Sequence, residues 1–212
     1  MIYYISLYLL KFFSRIYFRG TSINRHHIPS KGPCICVINH NSIMDVLAMS
    51  LIVKGRVHTM VKEEMFRIPV FKHWLRAVHM FPVIRNSTDR TAFNYAVNLL
   101  KKGEILFIAP EGTRKKHKDQ VLRARTGFVR LAQLAGCTVI PIAVWGTDRV
   151  MPPGQKFPLP VKIAVKVADP IKLEKLELSK EKKHLLQKQA DDVMEIVFNM
   201  YDELERKYNS KL

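Results

Sequence analysis

Residues 34–45 read Cys-Ile-Cys-Val-Ile-Asn-His-Asn-Ser-Ile-Met-Asp. Five apolar residues in unbroken succession suit a strand covered on both faces. The polar residues 39–42 interrupt that run, and from residue 43 to 53 the spacing becomes helical. A buried strand that feeds a helix through a short polar turn is the building unit of an α/β sheet.

The alternation continues along the chain. Apolar, β-rich runs at 57–61, 80–84, 105–109, 139–144 and 161–167 predict further strands, and 105–109 is nearly as continuous as 34–38. Helical spacing at 64–76, 89–101 and 127–135 falls between them. In the second of these Ala92, Phe93, Ala96, Val97 and Leu100 share a face, and Gly103 follows its end. Gly136 closes the third, whereas Pro69 predicts a kink or split in the first. Residues 151–160, with four prolines and a glycine, read as a loop. Ser179 is placed to cap a last long helix with Val193, Ile196, Val197, Met200 and Leu204 on its apolar face. The expectation is one α/β domain, a mixed and mostly parallel sheet flanked by helices. It divides into an N-terminal amphipathic helix and linker (1–30), a core (31–170) and a C-terminal helical segment (171–212).

A chain of 212 residues can bury a core without a disulfide or metal staple. Its 48% apolar and 25% charged residues are those of a globular protein. Lys and Arg total 35 against 18 Asp and Glu, a net charge of +17. Residues 171–212 hold nine of each sign, so the whole surplus lies in 1–170, with 26 basic and 9 acidic side chains. The body therefore suits an anionic partner: nucleic acid, a phosphorylated substrate or an acidic membrane surface. A basic but idle surface is the plain alternative. Cys34, Cys36 and Cys137 have no metal-ligand spacing and read as buried, inert thiols.

The first 18 residues are rich in aromatics, Leu and Ile, yet Lys11, Arg15 and Arg19 interrupt them. The longest uncharged run there is ten residues, against the ~20 a spanning helix needs. A secretory signal would carry its basic residues first and end in a small-residue cleavage site, and neither is seen. The three charges fall four apart, a stripe opposite Ile5, Leu9, Leu10, Phe12, Phe13 and Ile16. This predicts a helix lying in the membrane interface with its basic side toward lipid phosphates. A first helix packed on the core fits the same spacing.

Three constellations carry chemistry. In residues 39–45, His40 precedes a helix and Asp45 sits in its first turn, where a carboxylate can reach one imidazole nitrogen. A neutral imidazole so oriented is a general base near neutral pH. An N-capping loop with an ordinary histidine has the same spacing. In residues 110–114, Pro-Glu-Gly-Thr-Arg, Gly112 permits a tight turn, and Thr113 and Arg114 offer a hydroxyl and a forked guanidinium suited to phosphate. Lys115, Lys116, His117 and Lys118 extend the positive charge, or form a solvated run. In residues 81–85, Phe-Pro-Val-Ile-Arg, Arg85 ends a strand and can point into the same pocket or form a surface ion pair. No G-x-S-x-G, H-E-x-x-H or G-x-G-x-x-G sequence is present, which removes the usual signatures of a serine hydrolase, a zincin and a dinucleotide enzyme.

In this order the blocks resemble the glycerolipid acyltransferases typified by 1-acylglycerol-3-phosphate O-acyltransferase. Residues 39–45 are similar to that family's Asn-His-x-Ser-x-x-Asp block, 81–85 to its second and 110–114 to its third. Residues 139–144, Val-Ile-Pro-Ile-Ala-Val, resemble the fourth, and 62–71 the segment between the first two. The likeness runs from about Pro33 to Trp145. His79 stands where the second block usually begins with Gly, Ile84 where Asp usually precedes Arg, and Arg125 where Lys is frequent before Gly127.

The resemblance implies a glycerol-3-phosphate acyltransferase-like fold. His40 would be the general base on a lysophospholipid hydroxyl, with Asp45 orienting it. Arg85, Glu111, Gly112, Thr113 and Arg114 would shape the glycerol-phosphate site, Glu111 by orienting Arg85 or Arg114, and Lys62 is a lesser candidate for phosphate contact. The acyl donor would be acyl-CoA or acyl carrier protein, with no cofactor or metal. The expected product is phosphatidic acid, made from lysophosphatidic acid by a protein peripheral or monotopic on the cytoplasmic face of the membrane. The rivals are a relative acting on another lyso-lipid, a basic nucleic-acid-binding protein, which lacks any reading module, and an inactive membrane-binding relative.

Overall fold

The computed structural model describes residues 1–84, 89–112, 123–175 and 182–209. Its strands are β1 (Thr21–Ile23), β2 (Cys34–Ile38), β3 (Val57–Lys62), β4 (Met80–Val83), β5 (Ile105–Ile108), β6 (Thr138–Trp145) and β7 (Ala164–Val167). They form one sheet in the order β1-β7-β6-β2-β5-β3-β4. From β6 to β4 every neighbouring pair is parallel, and β7 runs antiparallel to β6 with β1 parallel to it. The helices are α1 (Ile2–Ile16), α2 (Asp45–Ile52), α3 (Pro69–Ala77), α4 (Arg90–Lys101), α5 (Gly127–Ala135) and α6 (Lys182–Asn209).

Strand β2 lies between β5 and β6, and all five of its residues are buried. Its side chains alternate between two cores, as the strand's period of two requires. Ile35 and Val37 join Leu100, Phe128, Val129 and Val197 under α4, α5 and α6. Cys34, Cys36 and Ile38 join Leu47, Leu51 and Ile52 under α1 and α2. The three thiols are buried and unpaired with one another. Burial pushes Cys137 up to about 11 and Cys36 well above the ordinary thiol value.

Five strands and the 127–135 helix lie within a residue or two of their expected places. The 161–167 run joins the sheet only from Ala164, and just before it the Ile163 amide donates to the Phe18 carbonyl at 3.2 Å. Strand β1, three residues long, carries no apolar alternation to find it by. Pro69 splits the 64–76 segment into a short 3-10 turn, Glu63–Arg67, and α3, with the proline in the first helical turn where it loses no hydrogen bond. Asp89 caps α4 by accepting the Ala92 amide. Ser179 lies outside the described residues.

The first helix differs from its expected pose. It ends at Ile16, and Arg19 lies beyond it at φ 46°, so the three cations do not form one helical stripe. Tyr3, Leu7 and Ser14 face the protein, with the Ser14 hydroxyl donating to the Leu47 carbonyl at 2.9 Å. Lys11 donates to the Val53 carbonyl at 3.1 Å, which anchors the helix rather than meeting lipid. Ile5, Leu9, Phe12, Phe13 and Ile16 are left exposed. Among the described residues no helix is long and apolar enough to cross a membrane.

Candidate active site

Parallel strands deliver their following loops to one edge of the sheet. The loop after β2 brings His40, and the helix it enters begins with Asp45. His40 Nδ1 stands 2.8 Å from Asp45 Oδ2, with side chains 21% and 5% exposed. Asp45 also accepts the amides of Asn41 (3.1 Å) and Ser42 (3.2 Å) and the Thr147 hydroxyl (2.5 Å). A carboxylate only accepts, so Nδ1 carries the proton and Nε2 is the open nitrogen. The first turn of α2 favours the negative charge there.

Two asparagines hold this loop to the neighbouring strand. Asn39 donates to the Val144 carbonyl at 2.8 Å and accepts the Val144 amide at 2.7 Å, and Asn41 Nδ2 reaches the same carbonyl at 3.1 Å. Glu111, buried after β5, accepts the His40 backbone amide through Oε2 at 3.2 Å. Its carboxylate therefore bears on the loop of His40. Gly112 adopts φ +67°, and a Cβ there would lie 2.6 Å from Arg125 Nε. That glycine gives the guanidinium its room.

His40, Asp45, Lys62 and Gly112 line one groove of about 1420 Å³. Its apolar wall includes Leu7, Met49, Val53, Met60, Trp74 and Val78, and it reaches Tyr3 in α1. Arg90, Arg123, Arg125 and Arg130 line it as well. Lys62 Nζ lies 2.8 Å from Glu64 Oε1, and this contact holds the Glu64 carboxyl below its ordinary range. Arg85, Thr113 and Arg114 lie outside the described residues. Among the described residues no three His, Cys, Asp or Glu side chains converge as a metal cage requires.

The two departures near 81–85 fall at opposite ends of β4. His79 precedes the strand at φ +61°, the left-handed region where glycine costs least, with its ring 5.0 Å from Tyr3 and 5.2 Å from His58. It is remote from the strand ends that carry His40. Ile84 is exposed, lines the groove and donates its amide to Asp89 at 2.9 Å. Thr147 went unread in the sequence because 102 residues separate it from Asp45. The only local sign was a Gly-Thr pair just past an apolar strand.

A profile of the family described as Acyltransferase matches residues 19–145. The chain belongs to the Acyltransferase family. This acyltransferase-family chain is 29% identical over 124 residues to a 1-acyl-sn-glycerol-3-phosphate acyltransferase of Bacillus subtilis, covering 58% of this chain and 61% of that protein. It is 30% identical over 134 residues to the chloroplastic enzyme BAT2 of Brassica napus, covering 61% and 38%. The aligned part thus spans less than two thirds of these relatives. Among solved structures, the 1-acyl-sn-glycerophosphate (LPA) acyltransferase PlsC of Thermotoga maritima superposes with a TM-score of 0.71 at 25% identity, covering 94% of this chain and 80% of that one. The single mostly parallel α/β domain of the family member described here agrees with that neighbour.

Proposed function

We propose that this chain is a 1-acyl-sn-glycerol-3-phosphate O-acyltransferase that moves a fatty acyl group from acyl-CoA or acyl carrier protein to the free hydroxyl of lysophosphatidic acid, yielding phosphatidic acid. The observation that carries the reading is the 2.8 Å contact of His40 Nδ1 with Asp45 at the wall of a long, largely apolar groove. With Nδ1–H given to Asp45, Nε2 accepts the acceptor hydroxyl's proton as its oxygen attacks the thioester carbon. The carbon–sulfur bond then breaks, and the imidazolium returns the proton to the leaving thiolate. No acyl-enzyme is required. Arg85, Glu111, Gly112, Thr113, Arg114 and Lys62 shape the phosphate end in this reading, and the apolar wall takes an acyl chain.

The exposed aromatic face of α1 supports interfacial binding, with the cytoplasmic face of the membrane as the proposed site. The test is purified protein with lysophosphatidate and either acyl donor, wild type against His40→Ala. Loss of the base costs about 10²–10⁴-fold. A variant that keeps most of its rate refutes the assignment. A second reading, a relative acting on another lyso-lipid, is favoured by exposed Ile84 at the groove, and a panel of lyso-acceptors with one donor separates the two.

A further inference from the structure

A second cavity, of about 360 Å³, shares no lining residue with the groove. Three cations border it: Arg19 before β1, Arg149 in the short turn after β6, and Lys162 before β7. Trp145 and Tyr208 supply aromatic walls with ring centroids 5.3 Å apart. The Arg149 guanidinium lies 4.1 Å from the Trp145 ring, and Lys162 Nζ lies 4.8 Å from that of Tyr208.

Each cation is aimed by a neutral oxygen. Arg19 donates to the Pro160 carbonyl at 3.0 Å, Lys162 to the Arg19 carbonyl at 3.4 Å, and Arg149 to Asn209 Oδ1 at 3.2 Å. Asn209, which accepts from Arg149, also donates through Nδ2 to Glu205 at 3.1 Å, and Glu203 on the same helix is paired with Lys166. Among the described residues none of the three cations has a carboxylate oxygen within 4.0 Å. Three like charges around one small cavity repel unless an anion joins them, and ring faces with neutral oxygens only orient them.

The cavity also lies beside the exposed apolar surface. Arg19 follows α1, whose Phe12, Phe13 and Ile16 are exposed, and the Tyr17 hydroxyl bonds to the Pro158 carbonyl at 2.9 Å, which ties in the loop of exposed Phe157. We propose that the Arg19–Arg149–Lys162 cavity binds the phosphate of an anionic phospholipid head group, apart from the substrate groove. The inference rests on the reading that the α1 face meets a bilayer, since a phosphate at the rim of such a face comes from a lipid.

The test uses the full chain with phosphatidylcholine vesicles, plain or doped with phosphatidylglycerol. Arg149→Gln and Lys162→Gln should each weaken partition onto doped vesicles about fivefold, the value of one basic side chain at an anionic surface, and leave plain vesicles unchanged. Lys101→Gln and Lys102→Gln remove the same charge from the far edge of the sheet and should lose less than about twofold, because salt screens them. Equal losses from both pairs, or wild-type binding by the first pair, overturn the proposal. Thermal midpoints verify that the variants fold.

A second measurement is independent of membrane binding. Trp74→Phe leaves Trp145 as the sole tryptophan of the two in the chain. Monomeric short-chain phosphatidylglycerol should shift its emission at concentrations about tenfold below inorganic phosphate. An equal response to both assigns the cavity to free phosphate and overturns the lipid assignment, and silence toward both overturns the site. Should wild type bind neither vesicle, the membrane reading of α1 fails, and this titration alone decides the cavity.

Discussion

The Thr147 hydroxyl donates to Asp45 Oδ1 at 2.5 Å, while Asp45 Oδ2 faces His40 at 2.8 Å. The carboxylate thus sits between the imidazole and a hydroxyl that is itself wholly buried. Thr147→Val keeps the side chain's shape and deletes this donor. A hydrogen bond to a charged group contributes about 1.5–3 kcal/mol, so urea unfolding should show a loss of that size. Under the proposed mechanism kcat falls severalfold with KM nearly unchanged, and Thr147→Ser restores it. A Val variant with wild-type kcat would show that Asp45 holds His40 without this support.

Asn39 bonds both backbone groups of Val144 from a buried position. Asn39→Ala leaves those groups unsatisfied and should cost about 1–3 kcal/mol. Asn39→Asp should be at least as harmful, since it turns an oxygen toward the Val144 carbonyl and buries a charge. Denaturant midpoints at neutral pH rank the two, and a milder Asp variant would contradict the donor assignment.

Gly112 and Gly136 both have positive φ, but only at Gly112 would a Cβ meet a side chain, that of Arg125 at 2.6 Å. Alanine at either position should cost about 1–2 kcal/mol of backbone strain. Under the proposed function, only Gly112→Ala should also displace the guanidinium and raise the KM for the lyso-acceptor. If Gly136→Ala changes that KM equally, the effect is on folding and not on the site.

Burial holds the His58 and His79 imidazoles below the ordinary histidine value; Glu104 opposes this at both, and Arg56 reinforces it. Tyr3 packs on His79. Unfolded histidines titrate near about 6.5, so below that pH the unfolded chain binds more protons and stability drains away toward the lower folded values. Urea midpoints should be level above that pH and fall as the pH is lowered below it. The double variant His58→Gln, His79→Gln should flatten this slope, and an unchanged slope would place its origin in other groups.

Where residues form strands and helices was legible in local pattern: the unbroken apolar run of 34–38, the glycines after two helices and the proline that divides 64–76. Local pattern also allowed the pairing of His40 with Asp45, because five positions across a turn and a helix start put the two side chains within reach of each other. It failed where meaning depended on distant contacts. Lys11 looked like a lipid-facing cation until the Val53 carbonyl, 42 positions away, took its charge inward. Glu111 was expected to orient Arg85 or Arg114, which lie outside the described residues, and no local pattern showed that its carboxylate also receives the His40 amide, 71 positions away.

The sequence by itself determined the order of elements from β2 onward, the closeness of His40 and Asp45 along the chain and the excess of positive charge, all properties of spacing and composition. The tertiary structure alone decided that Asn39, Thr147 and Glu111 support that pair, and that Arg19, Arg149 and Lys162 share a cavity. Those groupings join residues scattered along the chain, and only the pairing of strands in the sheet brings them within hydrogen-bonding or electrostatic reach.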